Sequence, residues 1–107
     1  MTFYIKQNDT SPSIGATLRD GESNVIDLTD ASVKFHMRPV GGSTTTVDRA
    51  AAILSPTEGT VRYEWLDGDT ATSGNYQAEF QITYVNGTIE TFPNNGYIVV
   101  QVLPELA

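Results

Sequence analysis

Acyl transfer by a serine or threonine needs a base beside the nucleophile, and the only histidine in the sequence is His36. It stands in "VKFHMR" between Phe35 and Met37, an alternation that places it on the outward face of a strand. No Gly-x-Ser-x-Gly elbow accompanies it, so His36 reads as a solvent-facing or subunit-contacting residue. The chain has no cysteine, which removes thiolate catalysis, disulfides and cysteine-ligated metal together. Asp67 and Asp69 stand two apart in "LDGDTATSGN", as in the start of a calcium loop. Such a loop would continue with Asp or Asn at position 71, glycine at 72 and glutamate at 78, where this chain has Ala71, Thr72 and Ala78. An acidic turn capping a strand is the reading that remains. The other carboxylates are spread over loops such as "RDGESN", with nothing to pair two of them across a cleft. The glycines form neither a Walker loop nor a dinucleotide fingerprint. The expectation is no catalytic residue, no cofactor and no metal.

Charge narrows the partners. Six Lys and Arg against thirteen Asp and Glu give a net charge of -7. The cations Lys6, Arg19, Lys34, Arg38, Arg49 and Arg62 never cluster, which argues against nucleic-acid binding. No apolar run approaches the ~20 residues of a bilayer span, and Met1 to Ser11 is not a basic region followed by an apolar one. The expectation is therefore no membrane insertion and no secretory leader, with assembly in a reducing cytoplasm. A length of 107 residues suits one domain, 1–107, with one core.

The elements that must carry these residues are strands. Short alternating runs recur every eight to twelve positions between turn residues, the pattern of an all-β sandwich or barrel. Seven or eight strands are expected: Thr2 to Gln7 as an edge, Ser13 to Asp20, Asn24 to Thr29, and Ser32 to Val40 with Val33, Phe35 and Met37 inward. An ambiguous stretch, Ser43 to Leu54, follows; its "DRAAAIL" is also compatible with a helical turn. Gly59 to Leu66 points Val61, Tyr63 and Trp65 inward, and Asn75 to Val85 points Tyr76, Ala78, Phe80, Ile82 and Tyr84 inward. Asn86-Gly87 predicts a two-residue hairpin loop that sets Tyr84 opposite Ile89 and Ile82 opposite Thr91. That register turns Phe92 outward, onto the face of Glu79 and Gln81. After "PNNG", Tyr97 to Leu103 closes the fold with Ile98, Val100 and Val102 inward.

Tyr76 specifies the kind of sandwich. Immunoglobulin-like domains carry a tyrosine near the start of their penultimate strand, two residues before an inward position that holds a cysteine in antibodies, and its hydroxyl bonds back to upstream backbone. In "GDTATSGNYQAEF", Tyr76 takes that place and Ala78 the inward slot, giving a tyrosine corner without a disulfide. Trp65, Phe35 and Phe80 are the expected core around it, in an immunoglobulin-like antiparallel sandwich.

Several motifs in one order carry a resemblance: "IKQNDTSP", "VKFHMR", "DTATSGNYQAEF" and "TFPNNGYI". Together they resemble the immunoglobulin-like N-terminal domain of the baseplate upper proteins of tailed bacteriophages, over nearly the whole chain. The resemblance implies a virion structural protein with no catalysis, docked on other phage proteins and oligomeric in the particle. In baseplate upper proteins such a domain is followed by a helical or coiled segment and further domains, whereas this sequence ends at Ala107. A stand-alone accessory of tail, baseplate or capsid is the resulting expectation. The alternative is an immunoglobulin-like module for host surfaces or carbohydrate, touching its ligand through exposed aromatics. Partner contacts are expected from the open edge, Phe3, Tyr4 and Ile5, and from Phe92 and Tyr97.

Overall fold

The computed structural model describes residues 1–106. Eight strands form: β1 (Thr2–Lys6), β2 (Ile14–Thr17), β3 (Ser32–Pro39), β4 (Val47–Ser55), β5 (Thr60–Tyr63), β6 (Gly74–Thr83), β7 (Ile89–Phe92) and β8 (Ile98–Leu103). They are ordered β1-β8-β6-β3-β4-β5-β2, with β7 also on β6. β4 belongs to two layers: Val47 to Ala51 pair with β3, and Ala52 to Ser55 pair with β5 across an irregularity after Ile53. The rings of Phe35 on β3 and Tyr63 on β5 stack with centroids 4.7 Å apart, although β4 separates their strands in the pairing order. The sheet has therefore folded over at β4, and β5 and β2 lie against the inner face of the larger layer. The all-β sandwich expected from the sequence is the fold observed.

The period-2 patterns explain which faces meet. Val33, Phe35 and Met37 on β3, Tyr76, Ala78, Phe80 and Ile82 on β6, and Ile98, Val100 and Val102 on β8 are all buried. Trp65 follows β5, donates its indole N–H to the Pro12 carbonyl at 3.1 Å, and meets Phe35 edge-on at 5.7 Å. An indole that satisfies its donor in this way can sit in an apolar core without an orphaned polar group.

Four details differ from the sequence reading. β1 runs parallel to β8, so the sandwich is antiparallel in every pairing but that one. The ambiguous stretch is strand β4, starting at Val47 instead of in the threonine run. Asn24 to Thr29 is not a strand and contributes only the isolated bridge Arg19–Val25. Asp27 explains part of this, because its carboxylate accepts from both the backbone N–H and the hydroxyl of Thr29, a local bond that competes with a ladder. The segment lies instead as a strap: Ile26 N–H donates to Leu18 O and Leu28 N–H to Pro56 O. It passes so close to Gly59 (φ +67°) that a Cβ there would stand 2.7 Å from the Ile26 carbonyl oxygen.

The fourth is the hairpin register. Tyr84 N–H donates to Thr88 O, Gly87 N–H donates to Tyr84 O, and Gly87 has φ +88°. This is a three-residue loop, a turn followed by a left-handed glycine, not a two-residue one. Phe80 thus pairs with Phe92 and Thr83 with Ile89. A slip of one residue exchanges the faces of a strand, so Phe92 is buried at 4% exposure while Ile89 is 61% exposed.

Candidate functional site

Around the tyrosine corner, β6 begins at Gly74, and Tyr76 on its inward face reaches back to donate its hydroxyl to the Thr72 carbonyl at 2.5 Å. Burial raises its pKa. Ala78 lies inward two residues on, with 1% exposure, opposite Met37 on β3.

Asp69, read from the sequence as part of an acidic turn capping a strand, is instead a buried acceptor whose partners the sequence did not show. Its side chain is 2% exposed and accepts three hydrogen bonds: Arg49 Nη1 at 2.6 Å, Tyr63 Oη at 2.6 Å and Leu66 N–H at 2.9 Å. Arg49 pairs with Phe35 in the β3–β4 register and so starts on the inward side of β4. Its apolar stem lies toward the core and its guanidinium meets the carboxylate at the rim. These bonds raise the Arg49 pKa, first through the hydrogen bond that Arg49 donates to Asp69, and burial together with Asp69 pushes Tyr63 up to about 12. The one signal available was a lone arginine in the alanine run of β4. Asp67, by contrast, is exposed, and among the described residues no three His, Asp or Glu side chains are grouped to hold a metal ion.

His36 sits at the centre of the outer face of the large layer. The registers place it between Asp48 on β4 and Glu79 on β6, and its ring nitrogens lie 3.2 Å from each carboxylate. Lys34 Nζ approaches the same Asp48 at 3.4 Å. Both imidazole nitrogens therefore face carboxylates, and the ring's partners include no hydroxyl that it could activate as a nucleophile. A polar groove of about 280 Å³ runs beside this row, lined also by Arg38, Thr45, Gln77 and Tyr97. The hydroxyls it offers belong to Thr45 and Tyr97, and no serine lines it.

The residues expected to touch partners divide. Tyr4 (60% exposed) and Tyr97 (46%) project from the surface. Ile5 and Phe92 do not: each is 4% exposed and belongs to the core, which corrects their assignment as contacts. Ile5 alternates inward from β1, and Phe92 follows the three-residue loop. Phe3 is half-buried, its ring centroid 6.0 Å from that of Trp65. Tyr97 lies in the Pro93 to Tyr97 break between β7 and β8, which pair with successive parts of the long β6. Besides the polar groove it borders an apolar one of about 270 Å³ with Leu18, Phe92, Pro93 and Ile98. Tyr4 stands on β1, which has β8 on one side and, among the described residues, no strand on the other. No helix of the described residues is long and apolar enough to cross a membrane.

Comparison with solved structures finds CopC from Methylosinus trichosporium OB3b, with a TM-score of 0.53 and 14% identity over 99% of this chain and 87% of that one. At that identity the likeness concerns the β-sandwich alone. No curated protein sequence matches. The BppU N-terminal domain, that of the phage baseplate upper protein, matches residues 3–95, from β1 through the strap, the tyrosine corner and the hairpin to the β7–β8 break, and the chain accordingly belongs to that family.

Proposed function

We propose that the chain is a non-enzymatic docking module of a tailed-phage virion, binding other structural proteins of the particle through its surface and strand edges. The observation that carries this reading is the family match over residues 3–95. The site geometry supports it: both ring nitrogens of the one histidine face the carboxylates of Asp48 and Glu79, and the one deeply buried carboxylate among the described residues accepts from Arg49, Tyr63 and Leu66. What the surface offers instead are projecting aromatics, Tyr4 and Tyr97, of the amphipathic kind that anchors protein contacts.

Mass spectrometry of particles purified from infected cells tests the proposal. The chain is expected in the virion at a stoichiometric fraction of known tail proteins. Abundance in the lysate with absence from purified particles would overturn it.

A further inference from the structure

The β1 edge leaves backbone groups without a strand partner among the described residues. In the parallel pair with β8, Met1 O accepts from Val99 N–H and Gln7 N–H donates to Leu103 O, so the odd-numbered residues of β1 turn their backbone groups toward β8. Thr2, Tyr4 and Lys6 turn theirs away, toward the side where no strand lies. The Lys6 carbonyl accepts from Asp9 N–H in a turn and keeps one lone pair, and the other five groups have no strand to pair with. The free edges of β2 and β7 are shorter, with two outward residues each, and on β7 the Thr91 carbonyl is already taken by Asn94 Nδ2 at 3.0 Å. β1 has neither proline nor bulge, and of the usual guards of an open edge it carries only the charge of Lys6, at its last residue.

We propose that β1 pairs with β1 of a second copy, antiparallel, about a two-fold axis through Tyr4. The argument for a second copy is the symmetry of what is free. An antiparallel strand bonds through alternate residues, and the two-fold at Tyr4 pairs Tyr4 with Tyr4 of the second copy and Thr2 with Lys6. That register uses every outward residue of both strands. It sets the one charge of the strand, Lys6, opposite a neutral threonine instead of its own copy, avoiding a like-charge pair. It also brings together two Tyr4 rings that are 60% exposed in the single chain. The large layers of the two molecules then become one continuous sheet, an isologous contact.

Sedimentation velocity on the full chain across a concentration series tests this, with monomer and dimer read directly. A concentration-dependent dimer is expected, and it should tighten with added salt because each copy carries a net charge of -7. Tyr4→Glu, which sets two carboxylates face to face on the axis, is expected to weaken the dimer by at least about tenfold while leaving the thermal melt unchanged at dilutions where both chains are monomeric. Tyr4→Pro removes an outward N–H and should do the same; if it fails to fold, Tyr4→Glu carries the test. The amides of Thr2, Tyr4 and Lys6 should gain exchange protection as concentration rises, and that of Ile89 should not. A chain that stays monomeric to about 1 mM overturns the proposal, as does a dimer indifferent to Tyr4→Glu, or protection appearing at Gly15 and Thr17 or at Ile89 and Thr91 instead. A monomer found in virions would leave the docking reading standing and remove this contact.

Discussion

Asp69 shows how much one side chain can hold when solvent is kept from it. Its carboxylate is the shared acceptor of a guanidinium, a phenol and a backbone amide from three separate places in the chain. Removing it leaves the Tyr63 O–H without its acceptor, although Arg49 Nη1 still donates to the phenol oxygen at 3.0 Å, and it unpairs the part-buried Leu66 N–H, whereas the Arg49 side chain, 43% exposed, can still reach water. Asp69→Ala is therefore expected to cost about 2–4 kcal/mol in urea unfolding, and Asp67→Ala, on the exposed part of the same turn, to stay within roughly 0.5 kcal/mol. Equal losses for the two would mean that the turn itself, not the buried carboxylate, matters. Tyr76 was legible from its spacing to Ala78; Asp69 was not, because its partners lie 20 and 6 residues away and only folding brings them to one point.

The hairpin of β6 and β7 turns on a single residue of loop length. Asn-Gly between alternating runs announced a hairpin, but the turn dipeptide does not say whether two or three residues span it, and that choice decides which side of β7 faces inward. Phe92→Ala is expected to cost about 3–5 kcal/mol, as for an emptied core aromatic, and Ile89→Lys to fall within about 0.5 kcal/mol. Chemical denaturation of both variants checks it; the reverse order would restore the two-residue register. Strong alternation over eight to ten residues, as in β3 and β6, made those strands readable. The strap 24–29 alternates too, but over only six residues, and its Asp27 bonds locally. The parallel placing of β1 had no local signal at all, since it depends on where the last strand comes to rest.

For the molecule as a whole, the absence of a disulfide leaves stability to packing and to a few buried or part-buried polar groups, among them tyrosines that titrate in base. Burial and a carboxylate neighbour push Tyr63 and Tyr84 each up to about 12 in the fold, against 10.0 for a free phenol. The unfolded chain gives up these protons first, so their contribution to stability is whole below pH ~10 and is lost as pH rises through about 12. Urea midpoints should fall across that window, with roughly one proton taken up on folding per tyrosine. Tyr84→Phe should flatten the decline, and an unchanged slope would show that Tyr84 does not contribute. The parallel pairing of β1 with β8 has a mechanical consequence as well. A load pulling β1 from its Met1 end and β8 from its Leu103 end runs along both strands in opposite directions. All the hydrogen bonds between them are then stretched at once in shear, instead of being peeled open one after another, so the terminal strands form a clamp rather than a zipper.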